Sequence, residues 1–374
     1  MCHLIYTDTF YMKRKWIRWV SWILLTPIIL FVILMVLLYV PPVQNLLRRE
    51  VTAYASKATG MQIQVERIDL RFPLNLLVRG VEVIQQPDTL LSLESLNVRV
   101  QAWPLIKGKV EVDEVTLSRV AVNSADLMEG MKIKGVLGRF FLQSHGVDLS
   151  NELAVINQVE LSDTHVQLLM NDTTTTPKDT TASAPINWKV ALHQLKLKNV
   201  SFSMQLPADS MRMAAHIGEA AIDDAQADLK NQYYDLKKFL LSGTSASYDT
   251  GTAQPAEGFD ASHIAVRDIR IALDSLLYKG RDMNAVIREF TMNERSGLSV
   301  TSLTGRAYSN DSVICVPGLK LNTPHSEIDL SAHTYWELVN IPTTGRLSAR
   351  LNAYIGKEDV MLFAGGLPES FKEA

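Results

Sequence analysis

The chain has little with which to stabilise itself covalently or to do chemistry. Only two cysteines occur in 374 residues, Cys2 and Cys315, too few for the disulfide framework of a small secreted domain. The histidines His3, His145, His165, His193, His216, His263, His325 and His333 are dispersed. None pairs at i,i+4 and none has a carboxylate at ligand spacing, so no metal centre is expected. No sign of charge dominates. With 37 basic and 40 acidic residues the net charge is −3, which removes the electrostatic footprint of a nucleic-acid binder. There is no G-x-S-x-G elbow, phosphate loop or dinucleotide fingerprint. The glycine-rich stretch 130–138 lacks the strand-then-helix setting that a phosphate cradle needs. These absences predict a protein that is not an enzyme and carries no cofactor.

What is present begins with an uncharged apolar stretch, Trp19 to Val40, behind the basic cluster Lys13, Arg14, Lys15 and Arg18. Some 22 residues at about 1.5 Å rise cover roughly 30 Å, the thickness of a bilayer core. Pro41-Pro42-Val43-Gln44 offers no small-residue cleavage site, so the stretch reads as an uncleaved anchor. Basic residues stay on the cytoplasmic side. The expectation is a cytoplasmic tail over 1–18, a transmembrane helix over 19–40 and the bulk of the chain outside the cytoplasm. Residues 43–59 carry helical apolar spacing and Gly60 supplies a stop, which predicts an amphipathic helix packed on the membrane surface or on the end of a sheet, the second being the simpler reading.

From Met61 onward the patterning is that of strands. Ile63–Leu70, Leu77–Val83 and Leu91–Val100 alternate with period two, as half-buried strands do. A sharper spacing then recurs. Val112, Val115, Leu117, Val120, Val122 is echoed by Ile156, Val159, Leu161, Thr164, Val166 and by Leu192, Leu195, Leu197, Val200, Phe202. Weaker echoes are Ile217 to Ala227, Val266 to Ile271 and Ile287 to Met292. On a helix such positions share no face. As strand they form in-phase pairs separated by two-residue polar steps: Ser118-Arg119, Ser162-Asp163, Lys198-Asn199 and Asp223-Asp224. A three-residue jump flips the face unless a bulge absorbs the extra residue. Each unit therefore reads as a bent strand, with Val115, Leu117, Leu195, Leu197, Ile269 and Ile271 on one apolar side and Thr116, Lys196 and Arg270 facing water. Residues 61–170 form one β region and 187–374 continue it. Between them the threonine-rich stretch 171–186 reads as a polar loop, in which Asp172-Thr173-Thr174 is a weak match to an envelope O-glycosylation signal. Gly243–Phe259 reads as a second loop, Asp228–Leu240 as a possible short helix and Cys315 as a small core residue. The pattern stops at Gly365–Ser370 with no closing strand, as in a truncated repeat.

The order of these signals resembles a known family. The anchor and helix are followed by Met61-Gln62-Ile63-Gln64-Val65, Phe72-Pro73-Leu74, Gly80-Val81-Glu82-Val83, Leu90–Val100, Trp103–Val110, Val115-Thr116-Leu117 and Val120-Ala121-Val122. This is similar to the N-terminal region of AsmA-like proteins, most closely the TamB-type translocation and assembly proteins. The likeness covers residues 12 to about 125. It implies an elongated, curled β-sheet with an apolar concave face, anchored in the inner membrane and projecting into the periplasm. It further implies phospholipids as partners, transport of lipid between inner and outer membranes, and a role in outer-membrane protein assembly. Contact with an outer-membrane assembly protein would need a C-terminal region that this sequence lacks. The alternative is an envelope scaffold or sensor ectodomain with a closed β core.

Overall fold

The computed structural model describes residues 36, 39–85, 87–106, 111–124, 130–148, 151–170, 187–340, 343 and 345–363. The expected cytoplasmic tail, nearly all of the expected span, the 171–186 loop with its glycosylation signal and the last residues lie outside these. Among the described residues no helix is long and apolar enough to cross a membrane.

The first element is helix α1 (Pro41–Thr59), which starts on a proline and ends at Gly60 in the left-handed region. Both features are ordinary helix punctuation: proline fits the first turn and glycine the C-terminal stop. Strands follow as β1 (Gln62–Arg71), β2 (Asn75–Gln85), β3 (Asp88–Val100) and, after the turn α2 (Ala102–Ile106), β4 (Val112–Asn123). Long strands come next: β5 (Met131–Asp148), β6 (Leu153–Met170), β7 (Lys189–Leu206), β8 (Met211–Asp228), β9 (Tyr233–Asp249) and β10 (His263–Lys279). Shorter ones complete the series: β11 (Asp282–Glu294), β12 (Ser299–Val300), β13 (Ser302–Ser309), β14 (Val313–Asn322), β15 (Glu327–Tyr335) and β16 (Leu347–Tyr354). The helical turns α3 (Trp336–Asn340) and α4 (Lys357–Leu362) flank the last strand.

All 16 strands belong to one sheet laid down in sequence order, with β12 set beside β11. It is a single large, open, curled sheet that runs unbroken through both expected β regions. Every adjacent pair is antiparallel except β6 and β7, which are parallel over Leu153–Leu169. β7 therefore starts at the same end of the sheet as β6, a parallel pairing that strand patterning did not reveal. Asp228–Leu240 is not a helix. It is the hairpin joining β8 to β9, because Tyr233 to Phe239 satisfies both sheet neighbours at once. The second expected loop is shorter than Gly243–Phe259, since β9 continues to Asp249.

The recurring three-residue jump is resolved by backbone geometry. Gly80, Arg119, Asp163, Asn199, Gly243 and Asp268 take positive φ values between 47° and 60°. The pairing steps over these residues. Ser95 opposes Ser118 and Leu93 opposes Val120, leaving Glu94 and Arg119 outside the ladder. The same omission occurs at Asp163 and Asn199 between β6 and β7. At Arg119, Asp163 and Asn199 both strands of the pair carry one extra residue, so register survives the bend and the apolar side is kept. At Asp268 the register shifts against both neighbours and recovers by Leu273. A second line of omissions passes Asn157, His193, Asp224 and Lys237. The Asp223-Asp224 step belongs to this second line and not with Arg119, because β8 runs opposite to β7.

The two edges differ. α1 lies along β1, where Gln44 Nε2 donates to Leu70 O at 2.9 Å, Arg48 donates to Glu66 O at 2.7 Å and Ser56 Oγ accepts from Ile63 N at 3.1 Å. An exposed edge would otherwise present unpaired backbone groups to any passing strand. At the far end every residue of β16 is exposed.

Left-handed geometry costs an ordinary L-residue about 1–2 kcal/mol, and a β-branched side chain bears it worst. Asn199→Val should lower stability by about that amount, whereas Asn199→Gly should stay within about 0.5 kcal/mol of the parent. Urea unfolding followed by far-UV circular dichroism measures both.

Candidate apolar strip

Because register survives the bends, residues on one face align into rows that cross the sheet. One row begins at Leu70 and passes through Leu76, Val98, Val115, Leu142, Val159 and Leu195. It continues through Ile222, Phe239, Leu273 and Ile287. Gly305, Leu319, Leu330 and Leu351 complete it. Every strand on the path contributes an apolar residue or glycine. At about 4.8 Å per strand the row is some 65–70 Å long. Gly305 is glycine because a Cβ there would lie 2.5 Å from Gly318 O.

A second row runs alongside from Ile68 through Val78, Leu96, Leu117, Phe140, Leu161, Leu197, Ala220, Leu241 and Ile271 to Phe290. These two rows occupy the strip between the bend lines. Val115 and Leu195 belong to the first row, and Leu117, Leu197 and Ile271 to the second. Ile269 opposes Thr244 in the row just across the first bend. All six sequence-derived residues thus lie on one face, and each is half-buried. They come from β4, β7 and β10, which are separated by intervening strands. The intervening members Phe140, Leu142, Phe239 and Leu241 were missed by spacing alone, although Leu137, Phe140 and Leu142 do carry the three-residue step.

The opposite face is of another kind. Thr116, Phe141, Glu160, Lys196, Ala221, Leu240, Ala272 and Glu289 form one of its rows. Lys196 and Arg270 are exposed there, while Thr116 is half-buried. Cross-strand ion pairs recur on this side, Arg99 with Glu114 at 3.2 Å and Lys189 with Asp228 at 3.3 Å. The positive-φ residues Arg119, Asp163, Asn199 and Asp268 are exposed. They partner one another or their neighbours, as Asn199 Nδ2 does with Asp163 Oδ1 at 2.8 Å and Arg119 with Glu94. Flanking the first bend on the apolar side, Ile68, Leu93, Thr164, Ala220, Thr244 and Val300 are buried. Cover on one side and exposure on the other make the apolar face the inside of the bend.

The described residues put no second layer over this face. None of their side chains is under 2 % exposed, so the sheet does not enclose a dry core of the usual kind. The few hydroxyls buried on the apolar face do not look outward for partners. Thr164 donates to Ser162 O at 3.2 Å, Thr244 to Ser242 O at 3.3 Å, Ser309 to Arg281 O at 2.6 Å, and Ser144 to Val112 O. A buried polar group left unpaired is costly, and each of these four is satisfied within the sheet.

The remaining chemistry is sparse. Among the described residues no group of three or more His, Cys, Asp or Glu could hold a metal ion. His165 and His193 are exposed, the latter with Nδ1 3.1 Å from Asp224 Oδ1. Cys315 is not a core residue. It is half-buried on the polar face between Tyr308 and His333, because the apolar run around it alternates faces. Residues 131–138 of the glycine-rich stretch lie inside β5. No family profile matches the chain, and no curated protein matches its sequence.

Charge on the strip should be penalised where charge on the other face is not. Leu195→Asp should cost about 1–3 kcal/mol of stability, against less than about 0.5 kcal/mol for Lys196→Asp, an exposed position. Equilibrium denaturation of the two neighbours in one strand measures the difference.

Proposed function

We propose that the protein is a non-catalytic lipid carrier whose curled sheet forms a groove for phospholipid acyl chains. The strip between the bends is the groove floor and the flanking rows are its walls. The observation that carries this reading is the pairing of Thr164, Thr244, Ser144 and Ser309 with their own sheet's carbonyls along an uncovered apolar face. A strip whose buried hydroxyls are already paired suits an occupant that makes no hydrogen bonds, and a hydrocarbon chain is such an occupant. Each acyl methylene moved out of water onto it gains up to about 0.8 kcal/mol. The unbroken row suits cargo that slides, since no position offers a polar trap.

In this reading Trp19–Val40 anchors the chain in the inner membrane with residues 1–18 in the cytoplasm, and the sheet stands in the periplasm. The protein then moves phospholipid between inner and outer membranes or supports outer-membrane protein assembly, as the resemblance to AsmA-like and TamB-type proteins suggests. The edge sealed by α1 faces the membrane anchor, and cargo moves away from it toward β16.

Photo-crosslinking amino acids at Leu197 and Ile271 should capture phospholipid in membranes, while the same probe at Lys196 should capture several-fold less. Equal capture at all three, or none at the inner two in a folded protein, would return the sheet to the scaffold reading. Mass spectrometry of the crosslinked species identifies the lipid.

A further inference from the structure

The apolar face does not keep its width. β5 to β10 are 17 or 18 residues long, whereas β13 to β16 have 8 to 10. The loss falls on one side only. β13 pairs with β11 over Met283–Ile287, and above that stretch only the two-residue β12 covers Met292 and Asn293. The floor row therefore crosses from Ile287 through Gly305 to Leu319 and on to the β16 edge. The wall above the first bend has no such continuation. Its row through Phe202, Ala215, Ala246 and Val266 ends on Glu294.

Glu294 is a carboxylate in an apolar row, only 5 % exposed. It accepts from Ala265 N at 3.2 Å and Ser296 N at 2.6 Å. Burial pushes its pKa up, but hydrogen bonds from Ser296 and from the backbone of Ala265 and Arg295 outweigh that and hold it below the usual range. The group is thus charged at neutral pH, and a charge is a barrier to hydrocarbon. The same end is packed by α4. Leu362 O accepts from Phe259 N at 2.7 Å, and the Phe259 and Phe363 rings lie 5.3 Å apart.

We propose that the groove has a through lane and a blind lane: acyl chains reach the β16 edge only along the floor, while the wall above the first bend ends at Glu294. This rests on the lipid-carrier reading and adds to it the route by which cargo leaves. Leu319 and Leu330 are exit residues for that cargo. Phe202 and Val266 belong to the wall row, which holds chains without passing them on.

The test blocks each lane on the folded protein. With Cys2 and Cys315 changed to serine, Leu197→Cys or Phe202→Cys is modified with a negatively charged methanethiosulfonate after reconstitution of the full chain in phospholipid vesicles. Photo-crosslinkers at Leu117 and Leu330 then report lipid before and after the block. Modification at 197 should cut capture at Leu330 by about tenfold and leave capture at Leu117 intact. Modification at 202 should leave both within about twofold. If the two modifications reduce capture at Leu330 equally, or neither does, the lanes are not separate and the proposal fails. If Leu117 captures no lipid even unmodified, the lipid-carrier reading fails, and this inference with it.

Discussion

Everything else in this fold depends on how a strand can bend without changing which side it buries. One extra residue in a single strand would turn every following side chain to the wrong face. Here the neighbouring strands carry an extra residue at the same level, so the ladder resumes in phase. The left-handed backbone at Arg119, Asp163 and Asn199 holds the kink. Long strands can then curl and still present one unbroken apolar side.

That constraint explains an otherwise unusual allocation of burial. A sheet of this size would normally gain its stability from a second layer packed on its apolar face. The described residues form no such layer, and the covered positions are few and scattered, among them Ile68, Leu93, Ala220 and Val300 beside the first bend and Ala272 on the opposite face. Stability is therefore distributed along neighbouring strand pairs, as in repeat proteins where each unit rests on the next. Ion pairs such as Arg99 with Glu114 are on the polar side, where solvent screens them and their contribution is small. Apolar area left uncovered by the described residues is the cost of this arrangement, and it is also the surface on which the proposed cargo rides.

The edges carry the same logic. α1 takes up the Leu70 and Glu66 carbonyls and the Ile63 N–H of β1, which blunts that edge against further pairing. Shortening of the last strands removes one wall of the curl and leaves the floor running to the end. The narrowing and the buried carboxylate of Glu294 occur at the same strand, β11, and this coincidence is what the proposed separation of routes rests on.

Much of this was legible in the residues themselves. Alternation identified the strands, and the pairs Val115 and Leu117, Leu195 and Leu197 announced their shared face. The polar steps at Ser118-Arg119, Ser162-Asp163 and Lys198-Asn199 announced a bend, because side-chain direction in a strand is a local property with period two. Which strand lies beside which is not local. The parallel crossing of β6 onto β7, the assignment of Asp223-Asp224 to a second bend line, the hairpin at Asp228–Tyr233 and the polar-face position of Cys315 all required the register between strands. The sequence determined that one side of each strand is apolar. Only the tertiary structure decided that those sides join into a continuous strip that the described residues leave uncovered, since continuity depends on hydrogen bonds between residues far apart in the chain.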